Sequence, residues 1–155
     1  MDKTASMEDI KKIVLSAIPQ QHPFRFVDEI VELTDSGVTG KYTFKPDEFF
    51  YEGHFPGNPI TPGVILIETM AQIGLVALGI YLNTIEHGNE NIITLFAESD
   101  VEFQRPVLPG DTVIVKSEKV FYRRKKIKAK VEMTLANGET VARGTLSGVG
   151  VKQDV

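Results

Sequence analysis

The stretch Pro62-Gly63-Val64-Ile65-Leu66-Ile67-Glu68-Thr69-Met70-Ala71-Gln72-Ile73-Gly74-Leu75-Val76-Ala77-Leu78-Gly79-Ile80-Tyr81-Leu82 decides how the rest of the chain is read. Proline is tolerated in a first helical turn, so Pro62 and Gly63 mark the start of a helix over 64–82. That helix is apolar nearly all round and needs partners on most of its sides. It is also roughly as long as the ~20 residues of a bilayer span. Glu68 and Gln72 lie inside it and the rest of the chain is half polar, so a buried core helix is expected and no membrane span.

Immediately upstream runs Glu52-Gly53-His54-Phe55-Pro56-Gly57-Asn58-Pro59-Ile60-Thr61. Pro56, Pro59 and Pro62 each fix their own φ and push the preceding residue toward extended geometry, leaving the loop few alternatives. Further back, residues 24–33 read as a strand, 34–37 as a turn and 38–44 as the next strand of a hairpin. Ser6 followed by Asp9 resembles a capping box, and Met7, Ile10, Val14 and Ala17 recur at helical spacing, which predicts a short helix over about 7–17.

Downstream the chain reads mostly as strand. Residues 92–96 are a short apolar run, 101–103 lead into a turn-rich connector through Asp111, and Val113 and Val115 alternate with polar neighbours. Ile127, Ala129, Val131, Met133 and Leu135 alternate with polar residues as in a half-buried antiparallel strand. Asn137-Gly138 is a two-residue hairpin signal, with 139–151 returning as the partner. One long helix with five to six antiparallel strands predicts an α+β fold in which the sheet wraps the helix.

The chain has 155 residues, enough for one domain over 1–155. Its 42% hydrophobic and 25% charged residues are ordinary for a soluble protein. With no cysteine, disulfides, thiolate nucleophiles and zinc–sulfur sites are excluded. The three histidines lack the i, i+4 spacing of a helical metal site, so no metal is expected. Residues 1–4 carry no basic segment leading into an apolar run, which points to a cytoplasmic protein. The net charge of −4 argues against nucleic-acid binding. It hides a basic segment over 116–130, with eight basic residues against Glu118 alone, which suggests a local anionic partner.

Two side chains carry the chemistry. Glu68 has only Thr69 and Gln72 as polar neighbours on its helix, and desolvation raises a carboxyl pKa, keeping it protonated and able to donate. Gln72 lies one turn on, on the same face. The alternatives are an ion pair with Arg105 or exposure to water. His54, on its stiff loop, suits a general base, or it is a loop histidine bonded to backbone. Gly63 at the helix start has an N–H without an intrahelical partner, suited to a carbonyl oxygen gaining charge, or it is a plain helix start. A base, an acid and an oxyanion donor are the parts needed to eliminate water from a β-hydroxy carbonyl compound.

Residues 50–59, Thr61-Pro62-Gly63-Val64 and Glu68-Thr69-Met70-Ala71-Gln72 resemble the signature of the (3R)-hydroxyacyl-acyl-carrier-protein dehydratases of fatty acid synthesis. Two further blocks match in order and spacing, His22-Pro23-Phe24-Arg25-Phe26-Val27-Asp28 and residues 103–111. The resemblance implies a hot-dog fold paired as a double hot-dog dimer, with trimers of dimers common. It implies His54 as base and Glu68 as acid, with the acid supplied across the dimer interface. It further implies Gln72 orienting that acid, Gly63 as oxyanion donor, and Phe55 and Val64 beside the substrate. The product is a trans-2-enoyl thioester, and no cofactor is needed. Glutamate rather than aspartate at 68 matches the dehydratase-only branch. Thr61, Thr69 and His22 depart from the family pattern, which leaves acyl chain length and a dedicated polyene or other secondary pathway open. The acidic acyl carrier protein gives Arg123, Arg124, Lys125 and Lys126 a docking role, or they form a solvated turn. The rivals are a hot-dog thioesterase, which generally lacks the His-Phe-Pro-Gly loop, and a non-catalytic acyl-binding module.

Overall fold

The computed structural model describes residues 6–88 and 92–152, so the reading of residues 1–4 lies outside it. Helix α1 (Met7–Ala17) precedes the strands β1 (Glu29–Thr34) and β2 (Gly37–Thr43). The central helix runs as α2 (Gly63–Ala71), a π-helical segment (Gln72–Ala77) and α3 (Leu78–His87). Strands β3 (Ile92–Phe103), β4 (Thr112–Arg123), β5 (Lys126–Leu135) and β6 (Thr140–Lys152) follow. All six strands pair antiparallel in one sheet, in the order β1-β2-β4-β5-β6-β3. This is the α+β, sheet-around-helix architecture of the hot-dog fold.

The central helix is the core of that sheet. Met70, Ile73, Leu75 and Leu78 are fully buried against inward residues of the strands, among them Val115, Ala129, Met133 and Leu146. Over Gly63–Ile85 the helix is apolar enough to cross a membrane, and 72% of its most apolar window is buried inside the protein. Most of its apolar surface is thus covered within the protein, while Val64 and Ile85 remain exposed. The helix packs tightly at Gly74, where an added Cβ would stand 3.0 Å from a Val131 methyl and 3.3 Å from Ser117 Cβ.

α1 begins as its sequence dictates. Ser6 Oγ accepts from Asp9 N at 3.1 Å and Asp9 Oδ2 accepts from Ser6 N at 3.4 Å, satisfying two helix-end donors reciprocally. Of the apolar residues at helical spacing, Val14 is buried and Ile10 partly so, while Met7 and Ala17 are exposed.

Three strand expectations are corrected. Residues 24–28 are not strand, because Phe26 N and Phe24 O bond the Gln72 side chain instead of a neighbouring strand. Residues 92–103 form one strand with a bulge between Phe96 and Glu98, hydrogen-bonded to β6 along its length. Its polar centre hid it, since an edge strand with exposed faces need not alternate. Strand β4 runs to Arg123, well beyond the short alternation at 113–115. The β5–β6 connection also differs. Gly138 N donates to Leu135 O, and Leu135 N donates to Glu139 O, each at 2.9 Å. Gly138 alone has positive φ there, at 93°. A three-residue loop with a glycine bulge thus replaces the expected two-residue turn.

Candidate active site

The His54 loop is built from its own backbone bonds. Phe55-Pro56-Gly57-Asn58 is a type II turn, closed by Asn58 N donating to Phe55 O at 2.8 Å, with Gly57 at φ 73°. Beyond it Ile60 N donates to His54 O at 2.9 Å and Thr61 N to Val107 O at 2.8 Å. His54 Nδ1 lies 2.9 Å from Ile60 O. A carbonyl only accepts, so Nδ1 carries a hydrogen, and in the neutral imidazole the lone pair is then on Nε2. The half-buried His54 ring stacks on Phe55 at 4.1 Å between centroids. These contacts fix an imidazole in the tautomer of a base.

Glu68 is held by the helix residue one turn on. Gln72 Nε2 donates to Glu68 Oε2 at 2.8 Å. The amide is itself clamped: Nε2 also donates to Phe24 O at 2.9 Å, and Oε1 accepts from Phe26 N at 2.8 Å. Burial pushes the Glu68 carboxyl pKa up, and the Gln72 hydrogen bond offsets part of that rise. Arg105 does not neutralise it, being paired with Glu139 at 2.9 Å. Glu68 faces a cavity of about 210 Å³, whose walls include Gln20, Leu75, Val76 and, from β3, Leu95 and Phe96. A larger groove of about 580 Å³ lies among Lys116, Glu118, Lys130, Glu132 and Arg143 on the sheet, and none of the acid–base residues lines it.

Gly63 opens α2 behind Pro62, and the first helical bonds run from Ile65 and Leu66 back to Pro62 O. Its own N–H therefore precedes the hydrogen-bonded ladder. A Cβ at Gly63 would stand 3.2 Å from the Phe103 ring. Val64 is 74% exposed and Phe55 49% exposed. Arg123, Arg124, Lys125 and Lys126 sit together at the β4–β5 turn, where Arg124 and Lys125 take positive φ of 52° and 63°. The Arg123 guanidinium stands 5.2 Å from the Phe121 ring centroid.

Within one chain Glu68 and Gln72 are joined, whereas no hydrogen bond links either to His54 among the described residues. The backbone clamp at Phe24 and Phe26 carried no local signal in the sequence, since its partners lie 46 and 48 residues apart. The two threonines that depart from the family pattern are internally satisfied: Thr61 Oγ1 pairs with Tyr51 Oη at 2.6 Å, and Thr69 Oγ1 donates to Ile65 O at 2.8 Å. The arrangement can take a proton at one position and deliver one at another.

Residues 18–145 match the FabA-like domain family. The 3-hydroxyacyl-(acyl-carrier-protein) dehydratase FabZ of Caldicellulosiruptor bescii is 35% identical over 142 residues, covering 90% of this chain and 96% of that one. The bifunctional enzyme LpxC/FabZ of Chlorobaculum tepidum is 37% identical over 112 residues, which are 72% of this chain and only 23% of that longer protein. Among solved structures, the dehydratase heterocomplex ApeI:P from Xenorhabdus doucetiae superposes with a TM-score of 0.75 at 15% identity, covering 91% of each chain. That likeness speaks for the fold, and the sequence relatives speak for the family. The chain belongs to the FabA-like family, alongside the FabZ 3-hydroxyacyl-(acyl-carrier-protein) dehydratases.

Proposed function

We propose that this protein is a hydro-lyase that removes water from (3R)-3-hydroxyacyl chains on acyl carrier protein, giving trans-2-enoyl thioesters for fatty acid synthesis. His54 Nε2 takes the C2 proton, and the C–H electrons become the C2=C3 bond. Hydroxide is a poor leaving group, so Glu68 delivers its proton to the C3 oxygen as that bond breaks, and water departs. The Gly63 N–H, at the positive end of α2, receives the charge that gathers on the thioester oxygen. Phe55 and Val64 flank the chain there, and no cofactor is needed. The observation that carries this reading is the half-buried Glu68 carboxyl, raised in pKa and held by a glutamine that is itself clamped at both ends.

Two copies complete the site in this reading, with Glu68 of one facing His54 of the other. Its support is that His54 does not line the Glu68 cavity. Strand β3 adds to it, an edge strand that among the described residues pairs with β6 alone and exposes Leu95, Phe96 and Phe103. An unpaired strand edge of that length carrying exposed apolar side chains calls for a partner. The reading takes the protein as cytoplasmic, in keeping with a central helix buried in its own fold. The exposed Arg123, Arg124 and Lys126, with Lys125, give the acidic carrier protein a docking surface.

The test is a dehydration assay on 3-hydroxyacyl carrier protein, run across chain lengths. His54→Ala and Glu68→Gln should each lower turnover by about 10²–10⁴-fold with the fold intact. Near-normal turnover in either variant would contradict the roles. Free thiol instead of enoyl absorbance would favour the thioesterase rival.

A further inference from the structure

His54 takes its orientation from one peptide unit. The C=O of Ile60 and the N–H of Thr61 belong to a single planar trans group and point to opposite sides of it. On one side Ile60 O lies 2.9 Å from His54 Nδ1; on the other Thr61 N donates to Val107 O at 2.8 Å. Pro59 and Pro62, with φ fixed by their rings, flank the unit. The Thr61 side chain adds a further anchor. Its Oγ1 stands 2.6 Å from Tyr51 Oη, and the two residues are only 3% and 5% exposed. Buried hydroxyls so placed satisfy each other. Tyr51 precedes His54 and Thr61 follows it, so their bond closes the loop that carries the imidazole.

We propose that the Tyr51–Thr61 hydroxyl pair positions the base, holding the Ile60–Thr61 peptide so that Ile60 O keeps the imidazole hydrogen on Nδ1. This assignment rests on the reading of His54 as the base. Neutral imidazole carries one ring hydrogen. On Nδ1 it leaves Nε2 free to take the C2 proton; on Nε2 it occupies the lone pair that would do so. If the peptide plane loses an anchor and turns, the carbonyl leaves Nδ1 and the two tautomers compete. Tyr51 and Thr61 are thus positioning residues that act through the backbone. Threonine at 61, a departure from the family pattern, gains a use.

The test reads the imidazole itself. With the histidine ring nitrogens isotopically labelled, NMR distinguishes a nitrogen that carries hydrogen from one that does not. His54→Ala assigns the His54 signals among those of the three histidines. With the ring neutral, wild type should show its hydrogen on Nδ1. Thr61→Val and Tyr51→Phe, which keep shape and lose a hydroxyl, should each show the two nitrogens converging as tautomers mix. Their kcat should fall about fivefold, the worth of one neutral hydrogen bond, with KM little changed. Thr61→Ser keeps the hydroxyl and should behave as wild type in both measurements. Tyr51→Phe/Thr61→Val removes both partners, so its stability should return toward wild type while its tautomers stay mixed. A wild-type tautomer in Thr61→Val, or kcat recovering with stability in the double variant, would overturn the proposal. If the single variants fail to fold, the tautomer of the double variant decides. Failure of the dehydratase reading is a separate result: wild type would not convert the 3-hydroxyacyl thioester, whichever nitrogen holds the hydrogen.

Discussion

Glu68 lies on a helix whose nearby side chains Ile65, Leu66 and Ala71 are buried and apolar, so its carboxyl has lost water without gaining a cation. Burial favours the neutral acid, and Gln72 fixes where the carboxyl points. This has a consequence for stability. A carboxyl whose folded pKa is raised stabilises the fold below its ordinary value of 4.5, and that contribution is lost as pH rises through the folded value. Glu68→Gln removes the titration. Its melting temperature should gain on wild type as pH climbs from 4.5 and then level off. Thermal unfolding measured between pH 4 and 9 checks this, and a difference that stays flat or shrinks would contradict it. The Glu68–Gln72 neighbourhood was legible because helical spacing alone puts i and i+4 on one face. Gln20 and the Phe24–Phe26 clamp were not, because they depend on where a distant loop lands.

At the scale of elements, the central helix meets the sheet through Gly74, and two short side chains, Ser117 and Val131, leave little freedom to retreat. Gly74→Ala adds helix propensity worth up to about 1 kcal/mol, but overpacking costs typically ~1–3 kcal/mol. Net destabilisation is expected in chemical denaturation, and Val131→Ala should relieve part of it in a double-mutant cycle. No loss in Gly74→Ala would show that the approach is looser than described. The β4–β5 turn makes a second, separate prediction. Charge reversal at Arg123, Arg124, Lys125 and Lys126 should raise KM for carrier-bound substrate several-fold and leave a small thioester unchanged, an effect that fades in high salt. Equal effects on both substrates would remove the docking role. Strand β5 could be read directly from its alternation, and the central helix from its long apolar run behind Pro62-Gly63. Strand β3 could not, because an edge strand with exposed faces carries no alternation, and β1 was overextended because Phe24-Arg25-Phe26-Val27 looks like strand while its backbone serves Gln72.

For the whole molecule, the central claim is that acid and base come from different copies of the chain and act on adjacent carbons. A two-fold dimer then holds two equivalent sites, each with His54 from one copy and Glu68 from the other. Mixing protomers separates this from a site built within one chain. In a dimer of one His54→Ala protomer and one Glu68→Gln protomer, one site loses both groups and the other keeps both. The measurement is dehydration of 3-hydroxyacyl carrier protein by the two inactive variants, co-expressed or unfolded and reassembled together. Random pairing should restore roughly a quarter of wild-type activity. A mixture as inactive as either variant alone, beside active wild type, would contradict the account.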